Sequence, residues 1–169
     1  MPNDKLAILG GGQSAANAIK SIRTIDTESR ITLVSEEPWL PYERPPLSKK
    51  CITGEQAFDS CTFFPEEFYQ ERNVELRLGC HIESVDFSAR RLEAKNKGSI
   101  SFDKLLIATG GRNRTLRIDG LESSAILQLR KREDSQKIIA RSKTSNRILV
   151  IGGGFIGLEV AASLTSLGK

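Results

Sequence analysis

Leu6-Ala7-Ile8-Leu9-Gly10-Gly11-Gly12-Gln13-Ser14-Ala15 decides the fold. An apolar run leads into three consecutive glycines and then into small, helix-compatible residues. That order predicts a buried parallel strand, a tight turn that lets backbone approach a pyrophosphate, and a helix whose N-terminus faces the phosphate charge. The same order returns at Ile148-Leu149-Val150-Ile151-Gly152-Gly153-Gly154-Phe155-Ile156-Gly157. One such fingerprint is weak support for a dinucleotide site; a pair in one short chain is much stronger. The fold expected is α/β, a doubly wound Rossmann-like arrangement, with one nucleotide for each glycine turn.

Working outward from the first fingerprint, residues 5–9 read as a strand. Ala15, Ala18, Ile19, Ile22 and Ile25 recur at helical spacing and predict a helix after the turn. Residues 30–34 read as the second strand, which closes a βαβ unit. In Pro38-Trp39-Leu40-Pro41-Tyr42-Glu43-Arg44-Pro45-Pro46 the prolines exclude a helix or a central strand, and they lead into a short helix over 47–51. A short helix over 65–72 and a third strand over 74–78 follow. Residues 82–87, 91–94 and 99–101 read as a small antiparallel meander, and 104–108 return to the main sheet. After a polar crossover come a helix over 133–142, a strand over 147–151 and a last helix from Phe155 onward.

The 169 residues carry 25 Lys and Arg against 21 Asp and Glu, a net charge of +4. The basic residues are scattered, and the run Leu129-Arg130-Lys131-Arg132 is diluted at once by Glu133-Asp134, with no interleaved aromatics. This patterning argues against nucleic-acid binding. The apolar stretches are a handful of residues long, too short to span a bilayer, and Met1-Pro2-Asn3-Asp4 lacks the basic start of a signal peptide. A cytoplasmic location without membrane association is expected. Cys51, Cys61 and Cys80 are odd in number and without C-x-x-C spacing, which argues against a disulfide framework and a redox dithiol. Cys51, Cys61 and His81 do not form a metal spacing, so no metal site is expected. His81, the single histidine, reads as a surface residue.

Glu36 closes the second strand about twenty residues beyond Ala15, where an acidic side chain accepts hydrogen bonds from an adenosine ribose. Glu37 beside it has the same chemistry and stays open as an alternative. Three glycines between a strand and a helix serve little purpose in packing, so Gly10 and Gly12 are read as phosphate-side residues. With Ala108-Thr109-Gly110 between them, the paired fingerprints point to a flavin in one half and a nicotinamide in the other.

Further residues carry a resemblance. Leu9-Gly10-Gly11-Gly12, Leu33-Val34-Ser35-Glu36, Pro45-Pro46-Leu47-Ser48-Lys49, Leu105-Leu106-Ile107-Ala108-Thr109-Gly110 and Val150 through Glu159 make the chain similar, nearly end to end, to the ferredoxin-reductase branch of the FAD-dependent pyridine nucleotide-disulphide oxidoreductases. That branch includes the reductases of oxygenase and P450 systems and has apoptosis-inducing factor as a relative. The resemblance implies a glutathione-reductase-like fold and FAD held at Gly10, Gly12, Gln13, Ser14, Ala15, Glu36, Arg44, Lys49, Ala108, Thr109 and Gly110. It implies NADH or NADPH as co-substrate at Gly152, Gly154, Phe155, Ile156, Gly157 and Glu159. The catalytic candidates it implies are Lys49, a mobile positive charge toward the flavin, and Glu159, near the nicotinamide; an ordinary helix-surface carboxylate is the other reading of Glu159. Hydride transfer to a flavin needs no general acid-base pair, so the protein mainly positions the rings and tunes their electrostatics. A Cys that follows Leu-Ser in flavin peroxidases and oxidases is Lys49 here, which sets the chain apart from those relatives.

The resemblance places an FAD-binding domain at 1–115 and the start of a nicotinamide-binding domain at 116–169. Only the first βα unit of the second domain is then present, so the sequence is expected to be the N-terminal part of a longer reading frame and inactive by itself. The expected function of that longer protein is electron transfer from NAD(P)H through FAD to a ferredoxin or rubredoxin. A non-catalytic or signalling flavoprotein of the apoptosis-inducing-factor type is the alternative. The residue that selects NADH or NADPH would lie about twenty residues past Gly157. Oligomeric state and the identity of the acceptor have no signal in the sequence.

Overall fold

The computed structural model describes residues 4–95 and 98–169, so Met1-Pro2-Asn3, on which the signal-peptide reading partly rests, lie outside the described residues. The chain divides into two compact units, Met1–Tyr42 with Thr62–Gly110, and Glu43–Cys61 with Gly111–Lys169.

The first unit is built on four parallel strands in the order β3-β2-β1-β7. They are β1 (Lys5–Leu9), β2 (Arg30–Val34), β3 (Val74–Arg77) and β7 (Lys104–Ile107). β1 pairs with β2 from Lys5↔Arg30 to Leu9↔Val34 and with β7 from Leu6↔Lys104 to Leu9↔Ile107. Apolar residues on successive positions of β1 and β2 serve both faces of this sheet, as a doubly covered parallel sheet requires. On one face Ile8, Ile31 and Leu33 pack with Ala15 and Ile19 of helix α1 (Gln13–Ile22), together with Tyr69 and Val74. On the other, Ala7 and Val34 pack with Cys80, Leu92 and Phe102. Leu92 belongs to the antiparallel meander β4 (Ile82–Asp86), β5 (Arg91–Ala94) and β6 (Gly98–Ser101). α3 (Glu66–Glu71) precedes β3 and contributes the buried Tyr69.

The second unit contains 3-10 turns at Pro45–Ser48, Phe58–Cys61 and Ser123–Ala125, helix α2 (Lys50–Thr53), α4 (Arg132–Lys143) and α5 (Phe155–Ser166). One apolar cluster in it joins Ile52, Ile138 and Leu164, with Leu129, Ile139 and Val160 around them, and Leu47, Cys51 and Cys61 are buried as well.

Three expectations need correction. Residues 147–151 do not form a strand: no described strand pairs with them, and Leu149 and Ile151 are 84% and 61% exposed. A parallel strand exists only through its neighbours' hydrogen bonds, so an apolar run before a glycine turn is no strand without them. The first helix ends at Ile22, and Ile25 is exposed. The Arg23 guanidinium donates to the carbonyls of Arg72, Asp26 and Ser29 at 2.8, 2.9 and 2.8 Å, which draws the chain into a turn at that point. The helix over 47–51 is instead two pieces, with Lys49 between them at φ −122°, ψ −108°, outside helical geometry.

Candidate functional site

In the first unit, β1 delivers the chain to Gly10 at the C-terminal edge of the sheet. Gly10 has φ +124°, donates to the Val34 carbonyl at 2.8 Å, and a Cβ there would run into the Ala108 carbonyl. The Ala108 amide in turn donates to the Leu9 carbonyl at 2.7 Å, so Ala108 closes against the glycine turn. This gives the Ala108-Thr109-Gly110 segment a physical place beside the fingerprint. Gly12 differs: a Cβ there would meet nothing within 4 Å. It is the N-cap of α1, no side chain caps the helix, and no acidic residue stands in its first turn. Gln13 and Ser14 are exposed, whereas Ala15 is fully buried against the sheet. The helix therefore presents its positive end bare, beside glycine backbone that leaves room for a phosphate.

Glu36 and Glu37 follow β2 and part company in their contacts. Glu36 is half exposed, and its Oε1 lies 3.3 Å from His81 Nδ1. Glu37 accepts from the Tyr42 hydroxyl at 2.5 Å. His81 is a surface residue, as its place between strands suggests, but it sits beside the candidate ribose carboxylate across 45 residues of sequence. No local signal in the sequence marks that neighbour.

In the second unit the proline loop positions Arg44, Ser48 and Lys49. Arg44 Nη1 donates to the Arg130 carbonyl at 2.5 Å. Lys49 Nζ lies 3.1 Å from Glu159 Oε1, with the two side chains 49% and 29% exposed. Residues 110 positions apart in sequence, both assigned to catalysis by resemblance, thus form one ion pair. The Ser48 hydroxyl, which the sequence reading did not single out, donates to Glu159 Oε2 at 2.5 Å. The Ser48 hydrogen bond is the first cause, and Lys49 the second, that holds the Glu159 carboxyl below the usual carboxylate range.

The second glycine turn repeats the first in its backbone. Gly152 has φ +111°, three residues precede the helix start at Phe155, and Gly154 is the N-cap of α5 without side-chain cap or acidic first turn. A Cβ on Gly157 would meet the Gly152 carbonyl, so the third glycine permits helix and turn to pack closely. Phe155, Ile156 and Leu158 are 88%, 55% and 61% exposed. α4 is the counterexample: Glu133 and Asp134 occupy its first turn, and Asp134 Oδ2 accepts from the amides of Arg130 and Lys131 at 2.9 and 2.8 Å.

The three cysteines are free and buried. Spacing did not foresee that Cys51 and Cys61 would bring their Sγ atoms to 3.6 Å, and burial together with Cys61 pushes the Cys51 thiol up to about 12. Among the described residues no cluster of three or more His, Cys, Asp or Glu is arranged to hold a metal, and no helix is long and apolar enough to cross a membrane.

Residues 4–169 match the pyridine nucleotide-disulphide oxidoreductase family model. The chain belongs to that family. Within it, the chain is 33% identical over 166 residues to a probable ferredoxin reductase, CtmF, of Castellaniella defragrans, covering 98% of this chain and 41% of that protein. It is 35% identical over 164 residues to a rubredoxin-NAD(+) reductase of Pseudomonas putida, covering 97% and 43%. The ferredoxin reductase of the CYP199A2 system from Rhodopseudomonas palustris superposes with a TM-score of 0.89 at 35% identity, over 98% of this chain and 41% of that one. A covalent putidaredoxin reductase–putidaredoxin complex gives 0.88 at 30%, over 98% and 40%. The chain thus spans about two-fifths of the length of these family members.

Proposed function

We propose that the chain serves as the FAD-binding and leading nicotinamide-binding part of an NAD(P)H-dependent reductase that passes electrons to a ferredoxin or rubredoxin type of iron–sulfur protein. The observation that carries this reading is the Gly10–Ala15 turn, whose backbone geometry is repeated at Gly152–Gly157, in a chain of this family. The names of the relatives, ferredoxin and rubredoxin reductases, support the acceptor class. Residues 1–115 are assigned to FAD and 116–169 to the nicotinamide nucleotide. The three free thiols support a cytoplasmic location as part of this reading.

The residues present fit a dinucleotide. Gly12, with open space where a Cβ would stand, and the uncapped α1 N-terminus suit a pyrophosphate, with Gln13 and Ser14 exposed beside it. Glu36 is the better placed ribose acceptor of the two glutamates: its side chain is half exposed, with His81 at 3.3 Å, whereas Glu37 accepts the 2.5 Å bond from the buried Tyr42. Held there, FAD would supply the redox chemistry that joins a two-electron nicotinamide donor to a one-electron acceptor. Lys49 holds a positive charge at Nζ and Glu159 a negative one at its carboxylate. Arg44 offers a planar fork, already ordered by the Arg130 carbonyl.

Flavin retention tests the reading. The purified chain is incubated with FAD, desalted, and its visible spectrum recorded, with released flavin identified by chromatography. Retained FAD, lost in Gly12→Ala while that variant still folds with a melting temperature only slightly lower, is the expected result. A chain that folds yet retains no flavin, or that retains it equally well with Gly12→Ala, overturns the assignment of the first turn.

A further inference from the structure

The turn Pro45–Ser48 is held by hydroxyls from two helices. Ser135 Oγ of α4 donates to the Leu47 carbonyl at 2.8 Å, and Ser163 Oγ of α5 donates to the Ser48 carbonyl at 2.8 Å; both contacts are buried. Glu159 and Ser163 lie four residues apart on α5, hence on one face of the helix. That face meets Ser48 twice, once at its carbonyl and once at its hydroxyl. Ser48 is 4% exposed, so water does not compete freely for its single hydroxyl proton. Two protein acceptors do: Glu159 Oε2 at 2.5 Å and the Pro45 carbonyl at 3.2 Å. An ionised carboxylate is the stronger acceptor and the nearer one, so the proton goes to Glu159 while Glu159 is charged. Protonation of Glu159 removes that preference and frees the hydroxyl to turn to Pro45.

We propose that Ser48 is a positioning residue: its hydroxyl fixes one carboxylate oxygen of Glu159 so that the other faces Lys49. This inference rests on the proposed role of the Lys49–Glu159 pair in a flavin reductase, and it adds a third member that neither carries charge nor reacts. Lys49 alone leaves half of the carboxylate unheld. With Ser48, both oxygens have a donor, Nζ at 3.1 Å and Oγ at 2.5 Å, which restricts rotation of a side chain that is 29% exposed.

The test is a titration of Glu159 in the 169-residue chain without FAD, so that its outcome is independent of whether the chain retains flavin. Carboxyl carbons are labelled with 13C in glutamate, the Glu159 resonance is identified by its loss in Glu159→Gln, and its midpoint is followed by NMR. Ser48→Ala is expected to move the midpoint to higher pH, and Ser48→Thr, which keeps the hydroxyl, to restore it. Ser163→Ala, a comparable loss of a buried hydroxyl that bonds the same turn from α5, leaves the midpoint in place. If Ser48→Ala loses its native circular dichroism, Ser48→Cys against Ser48→Thr carries the comparison, the weaker thiol donor giving the higher midpoint. An unchanged midpoint in Ser48→Ala, or an equal rise in Ser163→Ala, overturns the proposal.

Discussion

At the scale of single residues, the glycines of the first turn do different work. Gly10 is required by the protein itself, since a side chain there meets the Ala108 carbonyl and the backbone lies at φ +124°. Gly10→Ala is expected to lower stability by roughly 1–3 kcal/mol through backbone strain alone, read as a fall in melting temperature. Gly12 is required by nothing in the protein, having open space and an ordinary extended conformation. Gly12→Ala therefore costs only the N-cap preference of Gly over Ala, roughly 0.5 kcal/mol, a smaller fall in melting temperature than Gly10→Ala, and acts mainly on what approaches the turn. A melting temperature lowered equally by both substitutions contradicts this division. The sequence announces both glycines but not which is structural, because the distinction lies in Ala108, nearly a hundred residues away.

At the scale of elements, what was legible and what was not divides by the range of the contacts. β1 and β2 are apparent to the residue, since their apolar runs are bounded by glycine, charge and polar turns. The meander between residues 82 and 101 is equally local. Residues 147–151 have the same apolar signature yet form no strand, because a strand is defined by partners that a periodicity does not contain. The Cys51–Cys61 approach and the Ser48–Glu159 bond were invisible for the same reason. They depend on how turns and helices converge, not on spacing. α4 offers a test of local logic within the second unit. Asp134 accepts from two backbone amides at the helix start, so Asp134→Ala is expected to destabilise that unit by about 1 kcal/mol in chemical denaturation. Asp134→Asn, which retains an acceptor, costs less.

At the scale of the whole molecule, the net charge of +4 is modest, and acid acts on it through particular carboxylates. Hydrogen bonding from Ser48 and then Lys49 lowers Glu159, bonding from Lys104 lowers Asp4, and bonding from Ser29 lowers Asp26. Each group prefers its ionised form more in the folded chain than in the unfolded one. Their contribution is therefore complete above the ordinary carboxylate range and is lost as pH falls through the folded values. The melting temperature is expected to be level near about pH 7 and to decline as pH falls below about 5, with a shallower decline in Glu159→Gln. A melting temperature that rises on acidification contradicts the sign.

The bare start of α1 has a bearing on evolution under selection for stability. Asp or Ser at an N-cap stabilises a helix by satisfying its first amides, and Gly12 does neither through a side chain. Gly12→Asp would place a carboxylate where a ligand's phosphate is proposed to lie, making the chain its own competitive inhibitor. The more stable sequence at this position is thus the one that closes the site, so drift toward a sturdier helix is opposed at Gly12 by retention of the nucleotide.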